Sequence, residues 1–209
     1  MNAAESLGLS QSPTPVRADS TDLSRFALVV VDVQRAFDDR DYWGRRNNPD
    51  CEANIARLVG VWAERQWPLV FVRHDSRAPG SPLHPSSPGH QFKNFLTAEP
   101  DLLVVKSVNS SFHGRPDLDG WLREHKLEGI VVCGITTNHC CETTARVGDN
   151  LGHRVLFALD ATHTFDRAGP DGRTITADEL SRVTATNLHG EFAEIVSTAE
   201  LCSGLAFDA

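Results

Sequence analysis

The sequence predicts an α/β protein, a three-layer αβα arrangement in which helices cover both faces of a six-stranded, mostly parallel sheet. Short runs rich in β-branched residues alternate with amphipathic stretches, which is the pattern of parallel strands joined by helices. The 209 residues are 40% hydrophobic, which is enough to bury a substantial core. No linker divides them, so we expect a single domain over residues 25–209.

The predicted sheet is built from six apolar runs of strand length, bounded by turn-forming residues. The first of them is Phe26–Asp32, with the sequence FALVVVD. The other five are Pro68–Arg73, Leu102–Lys106, Gly129–Cys133, Arg154–Ala158 and Ala193–Ser197.

Helices are predicted between these strands, where the sequence is amphipathic. The clearest are Cys51–Arg65, Asp117–His125, His139–Leu151 and Ala177–Gly190. Thr176 precedes the last of them with a capping-box pattern that marks a helix start. Residues 1–24, rich in Ser, Pro and Ala, are predicted to form a flexible N-terminal extension.

Charge and composition exclude several classes of partner. The formal net charge is −8, whereas a nucleic-acid backbone requires clustered Lys and Arg, so we expect no nucleic-acid partner. We expect no membrane partner either, because no apolar stretch reaches the roughly 18 to 20 residues that span a bilayer. The N-terminus has no signal-peptide pattern, so the predicted location is cytoplasmic.

The cysteines are odd in number and scattered. None of the five forms a Cys-x-x-Cys spacing, which argues against a disulfide framework and against a zinc site. Free thiols in a reducing compartment are the better interpretation. These cysteines are Cys51, Cys133, Cys140, Cys141 and Cys202.

One segment predicts nucleophilic chemistry. Val131–Ala145, VVCGITTNHCCETTA, has the pattern of a buried strand, a tight turn and a helix that starts near a cysteine. The unpaired N–H groups and partial positive charge of a helix N-terminus stabilise a thiolate, so we expect a lowered cysteine pKa. The same N–H groups can bind a substrate oxyanion.

Three reactive residues occupy equivalent places on different strands. Asp32 ends the first predicted strand, Lys106 ends the third, and Cys140 begins the helix after the fourth. In a doubly wound sheet these positions meet at one edge, although over 100 residues separate them in sequence. A carboxylate, an ammonium and a thiol are therefore predicted to converge there.

Two long loops follow strand ends on the same edge. The segment 75–89 contains four prolines, and we expect it to form an ordered pocket wall or a dimer contact. The segment 38–50 carries Tyr42 and Trp43, which suit a lid over a small organic substrate. The segment 160–166, with His163 and Phe165, is predicted to be a loop reaching the same edge.

Three ordered blocks carry a family resemblance. The first is Asp32-x-Gln34-x-x-Phe37, the second is Lys106 followed by Ser110-Ser111-Phe112, and the third is Gly134–Ala145. With these blocks the chain resembles the isochorismatase-like cysteine hydrolase superfamily. That superfamily includes nicotinamidases, N-carbamoylsarcosine amidohydrolase, and biuret and ureidoacrylate amidohydrolases.

The resemblance implies the isochorismatase-like hydrolase fold and a catalytic triad. Asp32 would be the general base, Lys106 its electrostatic partner and Cys140 the nucleophile. It also implies a cis peptide bond between Ile135 and Thr136, and an oxyanion hole made by the backbone N–H groups of Thr136 and Cys140. Cys141 competes as nucleophile, but successive helical residues point about 100° apart, and the resemblance selects Cys140.

The nature of the nucleophile also bears on the reaction. True isochorismatases cleave a vinyl ether and have glycine where Cys140 stands, so the resemblance implies a C–N hydrolase for an amide, lactam or ureido substrate. The cycle would pass through a Cys140 thioester, with Asp32 activating water. The alternatives are a vinyl-ether hydrolase, a hydrolase of an antibiotic-like lactam, and a non-catalytic thiol redox sensor.

No metal and no cofactor are expected. Metal-dependent nicotinamidases hold their ion with an Asp-x-His segment, whereas here Asp75-Ser76-Arg77 has arginine at the second ligand position. Nicotinamide is therefore a weaker substrate candidate.

The remaining expectations concern small-molecule recognition and assembly. The resemblance also implies a homo-oligomer, a dimer or tetramer, which light scattering showing a monomer would overturn. The residues predicted to contact substrate are Gln34, Phe37, Trp43, His74, Asn109, Phe112, His139 and His163.

Overall fold

The computed structural model describes residues 21–203, and they form a three-layer αβα domain. The central strands are β1 (Phe26–Val31), β2 (Leu69–His74), β3 (Leu102–Lys106), β4 (Gly129–Ile135), β5 (Arg154–His163) and β8 (Glu194–Val196). A short antiparallel hairpin joins β6 (Arg167–Ala168) to β7 (Thr174–Ile175). The helices are α1 (Arg40–Trp43), α2 (Cys51–Glu64), α3 (Leu118–Glu124), α4 (Glu142–Asn150), α5 (Ala177–Leu188) and α6 (Thr198–Ser203).

The sheet has the strand order β3-β2-β1-β4-β5-β8. All five neighbouring pairs are parallel, so the predicted six-stranded sheet is confirmed and is parallel throughout. The chain moves outward from β1 to β3 and then returns to β4 on the other side of β1. In such sheets the point where the strand order reverses, here between β1 and β4, is where a crevice opens at the carboxyl ends of the strands.

The core lies on both faces of β1, because every residue of this strand is fully buried. Phe26, Leu28 and Val30 pack towards α2 and α6, and the alternate residues pack towards α3, α4 and α5. Helix α2 buries one stripe of side chains against this sheet, ending in Trp62, whose indole N–H donates to the Phe26 carbonyl oxygen at 3.1 Å.

The predicted elements are present, with corrections at their ends. Strand β4 continues to Ile135, two residues past its predicted end, and β5 continues to His163 rather than ending at Ala158. The predicted helix from His139 begins earlier, with a π-helical turn over Thr137–Cys141 that leads into α4. The capping box at Thr176 is confirmed.

Some predictions concern the chain termini. Residues 1–20 of the predicted extension, and residues 204–209 of the predicted domain, lie outside the described residues. Leu23, inside the predicted extension, is buried in the core beside α2. From residue 21 to 203, the structure contains no helix with the length and apolar character needed to traverse a bilayer.

Candidate active site

Asp32 follows β1 directly, at the point where the strand order reverses. Its backbone N–H donates to the Val72 carbonyl oxygen at 2.9 Å, and its φ of +51° turns the chain away from the sheet. This left-handed conformation is uncommon for residues other than glycine, and aspartate is among those that tolerate it best. The side chain is fully buried, so its charge requires a partner.

Lys106 provides that partner from the end of β3. Its Nζ donates to Asp32 Oδ2 at 2.5 Å and to His74 Nδ1 at 3.2 Å. Burial by itself lowers the pKa of Lys106, but Asp32 and Cys140 together outweigh burial and the pKa is raised. Asp32 and Lys106 therefore form a buried ion pair. His74, at the end of β2, accepts a further hydrogen bond from the Lys106 ammonium.

The second oxygen of Asp32 has a different environment. Among the described residues, Oδ1 is buried and accepts no hydrogen bond. One carboxylate oxygen of Asp32, one ring nitrogen of His74 and Cys140 Sγ all lie within 4.8 Å of one another. Oδ1 is therefore the acceptor available for a proton from the thiol.

Cys140 lies in the π-helical turn that follows β4, and it is 8% exposed. Its Sγ lies 3.8 Å from Asn109 Oδ1. Burial raises the pKa of the Cys140 thiol, the Asp32 carboxylate raises it further, and Lys106 opposes them. The expected lowered pKa is therefore wrong, because burial and the Asp32 carboxylate raise the pKa of the thiol.

Hydrogen bonds fix this turn to its neighbours. The Ser111 N–H donates to Thr144 Oγ1 at 3.0 Å, which ties the segment after Lys106 to the helix after Cys140. The Thr137 hydroxyl donates to Thr162 Oγ1 at 2.9 Å. The peptide bond between Ile135 and Thr136 is cis.

A cavity of about 130 Å³ opens beside Cys140. Three stacked or tilted aromatic rings form one wall: the Trp43 ring centroid lies 4.9 Å from that of Phe37 and 5.4 Å from that of Phe165. The Trp43 indole N–H donates to the Ala36 carbonyl oxygen at 2.8 Å, which holds this ring in place. The lining residues are Asp32, Phe37, Trp43, His74, Leu83, Asn109, Thr136, His139, Cys140, Thr164, Phe165 and Arg167.

Most of the sequence-predicted residues meet at this cavity. Asp32, Cys140 and Thr136 line it, and Lys106 lies directly behind Asp32. Five of the predicted substrate contacts also line it, namely Phe37, Trp43, His74, Asn109 and His139. Burial lowers the pKa of both His74 and His139, with nearby cations adding to the effect.

Three predicted substrate contacts do not line the cavity. The Gln34 amide instead bonds backbone groups: it donates to the His74 and His90 carbonyl oxygens and accepts from the His74 N–H. Phe112 stacks on His153, with ring centroids 5.7 Å apart. His163 is fully buried behind Phe165, and burial lowers its pKa to about 3.

Sequence reasoning missed part of the cavity wall. Leu83 comes from the proline-rich loop that was predicted to form a wall, but no single residue of that loop was selected. Thr164 and Arg167 follow the extension of β5, which sequence reasoning ended too early. The position of these residues after a strand end was the signal that could have identified them as part of the cavity wall.

The same cavity contains the metal-ligand types Asp32, His74 and Cys140. Lys106 already donates to one Asp32 oxygen and to His74 Nδ1, so the site holds a cation of its own. A metal cation bound there would be repelled by the Lys106 ammonium. The expectation of no metal stays a prediction.

Residues 26–199 match the family model of the isochorismatase domain. The chain belongs to the isochorismatase family. Solved structures of this family have the same fold: one from Chromobacterium violaceum has a TM-score of 0.82 at 35% identity, covering 92% of this chain and 98% of that one. A cysteine hydrolase from Pseudomonas syringae pv. phaseolicola has a TM-score of 0.80 at 27% identity, over 92% and 98% of the two chains.

Curated relatives of this isochorismatase-family hydrolase include an uncharacterized protein and two enzymes with named activities. YrdC, an uncharacterized isochorismatase family protein of Bacillus subtilis, is 36% identical over 84% of this chain and 93% of its own length. A streptothricin hydrolase of Streptomyces noursei is 32% identical over 83% of this chain and 62% of its own length. Nicotinamidase 3 of Arabidopsis thaliana is 27% identical, over 84% and 86% of the two chains.

Proposed function

We propose that this isochorismatase-family hydrolase cleaves a C–N bond of a small organic amide, lactam or ureido compound through a Cys140 thioester. The observation that carries the proposal is the buried arrangement of Cys140 Sγ beside Asp32. Lys106 binds Asp32 Oδ2, and Asp32 Oδ1 accepts no hydrogen bond from the described residues. Nicotinamidase and streptothricin hydrolase relatives support hydrolysis at such bonds.

The first half of the cycle forms the thioester. As Cys140 Sγ attacks the substrate carbonyl carbon, Asp32 Oδ1 takes the thiol proton, so no free thiolate has to exist beforehand. The oxyanion is stabilised by the N–H groups of Thr136 and Cys140. When the tetrahedral intermediate collapses, the C–N bond breaks and the proton on Asp32 passes to the leaving nitrogen, which departs as an amine or ammonia.

The second half regenerates the enzyme. Asp32 takes a proton from a water molecule as that water attacks the thioester carbonyl. The C–S bond then breaks, the carboxylic or carbamic acid leaves, and the proton returns from Asp32 to Cys140 Sγ. Lys106 binds Asp32 Oδ2 and leaves Oδ1 as the oxygen that takes up and returns the proton in each half-cycle.

The cavity and the cysteines argue against the alternatives. A volume of about 130 Å³ is small beside the roughly 300–1,000 Å³ of pockets for drug-sized ligands, so a small substrate fits better than a large antibiotic. For the redox-sensor alternative, Cys140 lines the cavity, whereas Cys141 is fully buried and does not line it, which disfavours a disulfide between these successive helical residues.

The first experiment incubates wild type, Cys140→Ala and Cys202→Ala with a panel of small amides, ureido acids, lactams and isochorismate. We expect mass spectrometry to show C–N hydrolysis by wild type and by Cys202→Ala, a thioester adduct on Cys140, and no turnover by Cys140→Ala. Cys202 is the matched control because it lies outside the cavity lining.

Two results would overturn the proposed C–N hydrolysis. Turnover that persists in Cys140→Ala, or that occurs with isochorismate alone, would replace this proposal with the vinyl-ether reaction. Equal unfolding free energies of the two variants would show that a loss of turnover is chemical rather than structural.

A further inference from the structure

Arg167 is a cation at the cavity mouth that has no acidic partner among the described residues. It lines the cavity that contains Cys140 and is exposed at the start of the β6–β7 hairpin. Its side chain makes no hydrogen bond or ion pair within residues 21–203. Two nearby arginines differ: Arg173 on the same hairpin lies 3.6 Å from Asp171, and Arg45 pairs with Asp166.

The acidic residue nearest in sequence is already engaged. Asp166 Oδ1 accepts hydrogen bonds from Arg45 Nη1 at 3.0 Å and from the Ala177 N–H at 2.7 Å. The second Nη of Arg45 binds Asp178 at 3.0 Å. These bonds anchor the hairpin to the start of α5 and leave the Arg167 guanidinium free to bind a ligand.

Arg167 also decides the net charge of the cavity. Asp32 and Lys106 cancel each other as a buried ion pair. The Cys140 thiol is neutral at pH 7 because its pKa is raised, and His74 and His139 are neutral because theirs are lowered. The cavity therefore carries one positive charge, beside the apolar wall of Phe37, Trp43 and Phe165.

We propose that Arg167 binds a carboxylate of the substrate, so that the substrate class is small carboxylates bearing an amide or ureido group. This inference rests on the proposed C–N hydrolysis and narrows its substrate. A guanidinium matches a carboxylate with two parallel hydrogen bonds, and an aromatic wall strengthens them by excluding water. The carboxylate end lies at the mouth, and the scissile carbonyl reaches Cys140 inside.

The test compares matched pairs in which an uncharged carboxamide replaces the carboxylate: succinamate against succinamide, and ureidoacetate against ureidoacetamide, with kcat/KM counted per hydrolysable amide or ureido group. We expect wild type to hydrolyse the anionic member with at least about 10-fold higher kcat/KM, the size of effect typical of a charged hydrogen-bonded contact. Arg167→Gln should reduce that preference about 10- to 100-fold, mainly through KM for the anion. Arg167→Lys should retain more of the preference for the anionic substrate than Arg167→Gln does.

Arg173→Gln is the matched control, because it removes the same charge from the same hairpin outside the cavity lining. We expect its preference to equal that of wild type. An equal loss in Arg173→Gln would indicate a long-range charge effect and overturn the contact. Equal kcat/KM of wild type for both members of each pair would overturn it as well.

A binding measurement separates this inference from the proposed function. Calorimetric titration of succinamate and ureidoacetate into Cys140→Ala should show binding that the double variant Cys140→Ala/Arg167→Gln loses. If wild type hydrolyses none of the four compounds but this binding difference appears, the anion site stands and the C–N chemistry fails for this class. If turnover depends on Cys140 but binding does not depend on Arg167, the chemistry stands and the anion site fails.

Discussion

Cys140 is held as a neutral thiol between two opposite charges. The Asp32 carboxylate and burial raise the pKa of the thiol, and the Lys106 ammonium offsets them in part. A resting thiolate is therefore disfavoured, and in the cycle that we propose the nucleophile forms only when Asp32 accepts the thiol proton during attack. The thiol is thereby protected from adventitious electrophiles while no substrate is bound, since the thiolate is the reactive form.

This charge state predicts slow alkylation of Cys140. In the Cys202→Ala background, we expect the rate constant for iodoacetamide at pH 7.5 to lie well below that of a free thiol with a pKa of about 8.5, and to rise steeply only above pH 9. Mass spectrometry of the labelled peptide gives the rate at each pH. In Asp32→Asn the midpoint should shift to lower pH, because one of the causes that raise the thiol pKa is removed. A wild-type midpoint at or below 8.5 would contradict the expected neutral thiol.

Sequence reasoning placed the strand-end residues well because the carboxyl ends of parallel strands share one edge. This rule alone was enough to predict that Asp32, Lys106 and Cys140 lie close together. Gln34 could not be placed in the same way, because its amide binds the His74 and His90 carbonyl oxygens, contacts that depend on the path of a distant loop. The Cys140 pKa depends on burial, which a helix-terminus argument does not include.

At the scale of elements, the end of β4 shows why this strand contains a glycine shortly before the Cys140 turn. Gly134 has a φ of +125°, and a Cβ placed on it would lie 2.1 Å from the Val31 carbonyl oxygen of the neighbouring strand. Strands β1 and β4 therefore approach each other too closely for a side chain at this position. That approach brings the Cys140 turn up to Asp32.

Gly134→Ala is expected to destabilise the domain by about 3 kcal/mol or more, since backbone atoms must move to relieve the contact. Gly152→Ala is the matched control: its φ is +89°, but a Cβ there meets no atom of residues 21–203 within 4 Å, so conformational strain of about 1 kcal/mol is the expected cost. Urea unfolding followed by circular dichroism measures both. Equal losses in the two variants would show that the close approach to Val31 has no energetic effect.

The elements that hydrophobic periodicity defines were predicted within a few residues, as β3 and α2 show. The extension of β5 was missed because contacts from elsewhere hold it. The Asn48 amide donates to the Asp160 and Thr162 carbonyl oxygens at 2.8 and 2.6 Å, and that of Asn54 donates to Asp160 at 2.7 Å. Such side-chain bonds leave no periodic pattern in the sequence of the strand.

For the molecule as a whole, buried ionisable groups link stability to pH. Burial lowers the pKa of His163 to about 3, so folding favours its neutral form. Glu52 binds Arg46 and Lys93, and although burial opposes them, its pKa falls to about 2. Both folded pKa values lie below the unfolded ones, so through both groups the fold is more stable at neutral pH than in acid. His163 loses its contribution as pH falls from about 6.5 towards 3, and Glu52 loses its own from about 4.5 towards 2.

When the pH is lowered from 7 to 5, His163 is expected to reduce the free energy of unfolding by about 2 kcal/mol. The reason is that this histidine binds a proton in the unfolded chain but not in the folded chain. His163→Leu should reduce the loss of unfolding free energy over this interval by that amount. The control His125→Gln changes an exposed histidine and should leave the loss unchanged. Urea denaturation at the two pH values supplies the measurement, and an identical loss in His163→Leu and wild type would be inconsistent with a neutral buried imidazole.

The aromatic wall of the cavity consists of rings from three separated segments, Phe37 before α1, Trp43 within it and Phe165 after β5. None of them belongs to the strand ends that carry Asp32, His74 and Lys106. Each ring can therefore be replaced while Asp32, His74 and Lys106 keep their places. A change of loop residues then alters which compounds fit the cavity without altering the groups beside Cys140.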